Sequence, residues 1–233
     1  MNRPPHAILF DVDGTLVDSN DAHAHAWVKA FGESGIRVEF HKVRCAIGMG
    51  GDKLMPAAAG IEADSPLGQR ISERRSEIFK REYLPHLHPF RDAGNLVSAM
   101  AARGLKAVAA SSAKRDELEA LLKIAGALSL LGDAASGDDA EQSKPDPDIV
   151  HAALEKTGAA ASDAVMIGDT PYDIEAAARA GVRTIAFRSG GWNEPALQGA
   201  IAIYDGPWDL LATLDESAIL NPKNRIPNPK SQR

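Results

Sequence analysis

Ala7-Ile8-Leu9-Phe10-Asp11-Val12-Asp13-Gly14-Thr15-Leu16 opens the regular structure of the chain. Four apolar residues run without alternation and stop at an aspartate, the pattern of a strand buried on both faces. Gly14 then supplies a turn. Strands of this type belong to parallel sheets covered by helices, where ligands bind beyond the carboxyl ends of the strands. Asp11 and Asp13 stand at such an end.

Strand and helix signals alternate later in the chain. Residues 105–110 read as a strand ending at Ser111, and a weak strand is expected at 130–135. Residues 164–167 form another, ending at Gly168-Asp169, and 183–187 and 202–204 complete the set. Helices are expected at 92–103, around Leu118, Leu121, Leu122 and Ala125, from Asp146-Pro147 to Gly158, at 171–180 and at 208–214. The alternation implies an α/β fold with a doubly wound, mostly parallel sheet.

Residues 16–88 lack that alternation and read as helical. Ala24, Trp27, Ala30 and Phe31 recur at helical spacing, the Gly-rich stretch Gly48-Met49-Gly50-Gly51 follows, and 67–83 is a charged helix with Ile71, Ile78 and Phe79 as its apolar stripe. Pro85 and Pro89 mark a linker. The expected organisation is a core of residues 1–15 and 89–220, a small helical domain of 16–88 inserted after the first strand, and a polar tail of 221–233.

A formal charge of −6 argues against general attraction to nucleic acid or anionic membranes. No apolar run approaches the ~18 residues of a membrane span. Cys45 is the only cysteine, so no internal disulfide can form. With no leader-like N-terminus, these features lead us to expect a cytoplasmic protein.

The expected sheet gathers Asp11 and Asp13, Ser111-Ser112, and Gly168-Asp169-Thr170-Pro171-Tyr172-Asp173 on one rim. Carboxylates converging there repel one another unless a cation joins them, and an all-oxygen set suits magnesium. A screened carboxylate can attack a phosphate ester, and a second acid can protonate the leaving alcohol. A free Asp titrates near ~3.9, so the second acid would need a raised pKa.

Four motifs in order make the chain resemble the haloacid dehalogenase superfamily, in the branch with phosphoglycolate phosphatase and β-phosphoglucomutase. They are Asp11-Val12-Asp13-Gly14-Thr15-Leu16, Val108-Ala109-Ala110-Ser111, Lys144-Pro145, and Gly168-Asp169 with Asp173. The resemblance implies a Rossmann-like core with a helical cap, magnesium as cofactor and a small phosphorylated metabolite as substrate. It makes Asp11 the nucleophile and a metal ligand, and Asp13 the general acid/base, whose main-chain carbonyl also binds metal. Asp169 becomes a direct metal ligand and Asp173 an outer one. Ser111, with Ser112 as the alternative, holds the phosphoryl group, and Lys144 bridges it to Asp11. Gly48 to Lys53 becomes the substrate-specificity loop, so Gly50 and Lys53 are candidate contacts. His23 falls where mutase relatives carry a substrate-contacting histidine.

Simpler readings stand beside these. Thr170-Pro171-Tyr172-Asp173 fits a helix cap, which is compatible with a metal role for Asp173. His23 fits an ordinary core or surface histidine equally well. His86 and His88 decorate the linker, Trp27, Met49 and Met55 are packing residues, and the charged run from Arg70 to Arg81 is a solvated face. Among activities, hydrolysis of a small phosphomonoester leads. A phosphosugar mutase of the β-phosphoglucomutase type would usually place an arginine in the cap loop, where Gly50-Gly51-Asp52 stands, although Arg44 and Lys53 are near. Phosphonoacetaldehyde hydrolysis would use a cap lysine such as Lys53, but that family has a small residue where Asp13 stands; a dehalogenase has an aromatic there. A non-catalytic phosphate-binding protein would not need the Asp11/Asp13 pair.

Overall fold

The computed structural model describes residues 4–131 and 133–221. Its strands are β1 (Ala7–Phe10), β2 (Lys106–Ala109), β3 (Ala164–Gly168), β4 (Arg183–Phe187) and β5 (Ala202–Tyr204). They form one sheet in the order β2-β1-β3-β4-β5, all neighbours parallel. The helices are α1 (Asn20–Glu33), α2 (Phe40–Arg44), α3 (Gly51–Ala59), α4 (Pro66–Ile78), α5 (Ala93–Ala102), α6 (Arg115–Ile124), α7 (Leu128–Leu131), α8 (Asp148–Thr157), α9 (Pro171–Arg179) and α10 (Pro207–Ala212).

Alternate side chains of β1 enter two different cores. Ile8 and Phe10 join Val165, Ile167, Ile185 and Phe187 beneath α5, α6 and α10. Ala7 and Leu9 join Val108 and Met166 beneath α8 and α9. This is why the strand reads as an unbroken apolar run: period-two alternation sends neighbours to opposite faces, and both faces are covered. The stretch between β1 and α5 contains helices α1 to α4, then a π-type turn (Phe79–Tyr83) and a 3-10 turn (Leu84–His86). Trp27, Phe31, Leu54, Met55, Ile71 and Phe79 make its interior, continuous with the first core.

Two local expectations are corrected. Residues 130, 131 and 133–135 do not form a strand. Leu128–Leu131 is a helical turn, and only Ala135 pairs with Ala110 beside β2. Leu131 is buried while Leu128 and Leu130 are exposed, a one-sided pattern that a single turn satisfies. The helix expected from Asp146-Pro147 begins at Asp148, with Pro147 in the capping position. Asp146 instead sends its carboxylate to Lys53 and Arg179. The tail from residue 222 lies outside the described residues.

Candidate active site

Register brings distant residues to one rim. Phe10 pairs with Ala109 on one side and Ile167 on the other, so β1, β2 and β3 end level. Asp11 follows β1 and donates its N–H to the Ile167 carbonyl at 2.8 Å. Asp169 follows β3 directly. Asp173 lies in the first turn of α9, held by a reciprocal cap: Thr170 Oγ1 accepts from the Asp173 N–H, and Asp173 Oδ2 accepts from the Thr170 N–H at 3.0 Å.

Carboxylate oxygens of Asp11, Asp169 and Asp173 lie within 4.8 Å of one another, and all three residues are buried. Lys144, 1% exposed, enters between them. Its Nζ stands 2.6 Å from Asp11 Oδ1 and 2.7 Å from Asp173 Oδ1. Thr15 Oγ1 contacts Asp11 Oδ2 at 3.1 Å and Asp169 Oδ1 at 2.9 Å. Asn20 donates to Asp169 Oδ2 at 2.9 Å. Gly190 supports the same group by having no side chain, since a Cβ there would fall 1.7 Å from Asp169 Oδ2. A Cβ on Gly14, whose φ is +75°, would meet the same oxygen at 2.3 Å.

Burial raises Asp11 to about 7; Lys144 opposes this, while Asp173 and Asp13 add to it. Asp169 is pushed well above the carboxylate range, first by burial and then by Asp11 and Asp173. For Lys144 burial acts downward, but Asp11 and Asp173 together carry it above the usual lysine value. One ammonium among three buried carboxylates leaves excess negative charge in a dry place. An all-oxygen donor set with that deficit fits a hard divalent cation. The Asp13 carboxylate is not part of this trio.

Asp13 faces a second network. His23 Nε2 lies 2.7 Å from Asp13 Oδ1, and the Ser19 hydroxyl donates to the same oxygen. Arg75 Nη2 is 3.3 Å from His23 Nδ1. An arginine can only donate, so Nδ1 accepts, and Nε2 carries the hydrogen given to Asp13. Arg75 Nη1 also grips both oxygens of Glu117, at 3.0 and 2.9 Å, across from the helical segment to core helix α6. Its guanidinium lies over Trp27 and Phe79, and Phe79 stacks on His23 with centroids 4.0 Å apart. Burial pushes Asp13 up, but His23, Ser19 and Arg75 outweigh it and leave its pKa below the ordinary value.

The sequence profile described as Haloacid dehalogenase-like hydrolase matches residues 8–187. The chain belongs to this family. Phosphoglycolate phosphatase of Rhodospirillum rubrum is 31% identical over 86% of this chain and 87% of its own length. N-acetylmuramic acid 6-phosphate phosphatase of Pseudomonas aeruginosa is 28% identical over 91% and 95%. A solved hydrolase from Pseudomonas syringae superposes with a TM-score of 0.83 at 29% identity, covering 90% of this chain and 98% of that one.

For a haloacid dehalogenase-like hydrolase, the four motifs meet as expected: Asp11, Lys144, Asp169 and Asp173 are in one cluster, with Asp13 beside it. Ser111 is buried at the end of β2, where its Oγ accepts from the Ala113 N–H at 3.1 Å. Ser112 Oγ makes no hydrogen bond. Both serines line the space in front of Asp11, as do Gly50 and His23. Lys53 does not. Its Nζ reaches Gln142 and Asp146, each at 2.7 Å, on the loop that carries Lys144. Two more contacts join the same segments: the Gly50 N–H donates to Ser143 Oγ, and the Ser143 N–H to Asp52 Oδ2. His23 is buried, yet its ring also reaches Asp13 and borders the space in front of Asp11. The charged run on α4 is solvated except at Arg75, which turns inward. Sequence reasoning passed over Arg75, Glu117, Asn20 and Thr15. For Thr15 and Asn20, nearness to Asp11 was the one available signal. Among the described residues no helix is long and apolar enough to cross a membrane.

Proposed function

We propose that this hydrolase cleaves small phosphate monoesters with magnesium, using Asp11 as nucleophile and the helical segment 16–88 as a cap over the site. The observation that carries this reading is the pairing of buried Lys144 with Asp11 at the meeting point of β1 and β3. That contact holds one Asp11 oxygen and neutralises charge where phosphoryl oxygens would arrive. Asp11, Asp169 and Asp173, with the Asp13 main-chain carbonyl, would hold the magnesium. When bound, the ion supplies further neutralisation of the phosphoryl oxygens.

Asp11 attacks phosphorus, the bond from phosphorus to the ester oxygen breaks, and Asp13 gives its proton to the departing alcohol. Asp13 then takes a proton from water, whose oxygen displaces Asp11 and releases inorganic phosphate. Asp13 sits below the ordinary carboxylate value beside His23. Negative phosphoryl oxygens brought next to it would raise that value and favour the protonated form. Ser111 and Lys144 position the phosphoryl group, and the His23 ring orients the Asp13 carboxylate. Names of the relatives support the class: both are phosphatases of small phosphorylated molecules.

Replacing Asp11 by Asn tests this. Turnover of p-nitrophenyl phosphate with magnesium should fall at least ~1000-fold while circular dichroism stays unchanged. Retention of most activity would refute the nucleophile assignment. The mutase reading gains nothing comparable, since Arg75, the arginine nearest the substrate space, is already engaged by Glu117.

A further inference from the structure

Asp11 borders the inner of two adjoining spaces. The inner one is lined by Asp11, Asp13, His23 and Ser111. The outer one is a cleft of about 360 Å³ between the helical segment and the core. Gly50, Gly51 and Ser112 line both, so an alcohol bonded to a phosphoryl group at Asp11 extends into the cleft. Its volume suits a leaving group of sugar size or smaller.

The charge of this cleft is one-sided. Asp52, Glu73, Asp138 and Glu141 border it, against Lys114 alone. Asp52 accepts the main-chain N–H of Ser143 and Asp138 that of Arg115, and neither meets a side-chain cation among the described residues. Glu73 and Glu141 have no hydrogen-bond or ion-pair partner among the described residues. Two further cations nearby are engaged: Arg75 by Glu117, and Lys53 by Asp146. A carboxylate on the leaving group would therefore enter an acidic field with one lysine to receive it, whereas an ammonium or hydroxyl finds acceptors.

We infer that the substrate's alcohol carries no negative charge, and that the cleft selects phosphates of amino-bearing or polyhydroxy alcohols over phosphates of hydroxy acids. This rests on the phosphatase reading above and separates the chain from relatives named for phosphoglycolate. The acids are exposed, so their effect is a field focused by the cleft walls and weakened by salt.

The experiment compares matched pairs with p-nitrophenyl phosphate as reference. O-phosphoethanolamine is set against phosphoglycolate, and glucosamine 6-phosphate against 6-phosphogluconate. The cationic member of each pair should have a kcat/KM at least ~10-fold higher at low salt. The gap should shrink in 0.5 M sodium chloride and in the Glu73→Gln/Glu141→Gln double variant, through KM. Equal or better turnover of the acidic members overturns the inference, as does a gap that neither salt nor the double variant changes. Hydrolysis of the reference with none of the four esters cleaved also overturns it, leaving the phosphatase reading intact. No hydrolysis of the reference defeats both.

Discussion

Lys144 Nζ lies 2.6 Å from Asp11 Oδ1 although 133 positions separate the two residues. The same nitrogen meets Asp173 at 2.7 Å. The lysine therefore ties Asp11 to Asp173 inside the cluster. Lys144→Met keeps the volume of the side chain and removes its charge, leaving three buried carboxylates with no cation. Breaking a buried pair in this way costs about 3–5 kcal/mol. Urea denaturation without divalent ions should show that loss, and magnesium should restore part of it. A variant as stable as the parent would mean the carboxylates are not charged there.

Asp169 tests the metal. A ligand that binds only the folded state at 100 times its dissociation constant adds about 2.7 kcal/mol of stability. Magnesium should raise the melting temperature of the parent protein accordingly. Asp169→Asn should abolish that increase while Thr15 and Asn20 keep the side chain in place. The readout is thermal, independent of turnover. An undiminished magnesium shift in the variant would exclude Asp169 as a ligand.

How far the sequence was legible follows from the physics of each element. Ala7–Phe10 announced a doubly covered strand because both of its faces enter a core. The meeting of Asp11 and Asp169 could be anticipated because strand ends in a parallel sheet share one rim. The inward turn of Arg75 could not. Which face of α4 meets the core depends on how the helical segment packs, and a run of mixed charges carries no sign of it. Glu117 was hidden for the same reason, its partner lying 42 positions earlier on a different element. The failed strand at 130–135 reflects an apolar run too short to separate one helical turn from an edge strand.

Glu117 is the core-side half of the Arg75 contact, with side-chain exposures of 3% and 18%. Glu117→Gln leaves the guanidinium with one good acceptor instead of two. A double-mutant cycle with Arg75→Met should give a coupling of at least ~1 kcal/mol. The single Glu117 variant should also lower kcat more than it raises KM, because His23 loses the arginine that fixes its tautomer on Asp13. Additive effects of the two substitutions would mean the pair is not an interaction unit.

Lys53 separates two chemistries. If the chain cleaved carbon–phosphorus bonds through a cap-lysine Schiff base, Lys53→Met would abolish activity, and borohydride would trap an aldehyde substrate on Lys53. Its position argues otherwise. Lys53 Nζ is 2.7 Å from Asp146 and from Gln142, on the loop that leads out from Lys144, and the ion pair is about one-third exposed on either side. Exposed pairs contribute only ~0–1 kcal/mol. Lys53→Met should therefore leave the fold intact and keep phosphate ester hydrolysis within ~10-fold of the parent, the loss coming from a looser fit of the Gly50–Ser143 contact over the site. Asp146→Asn should give a loss at least as large but still modest, because it removes the partner of Lys53 together with the exposed Arg179 pair. Agreement between the two variants identifies Lys53 as a clamp between helical segment and core, whereas complete inactivation by Lys53→Met alone would return it to the chemistry.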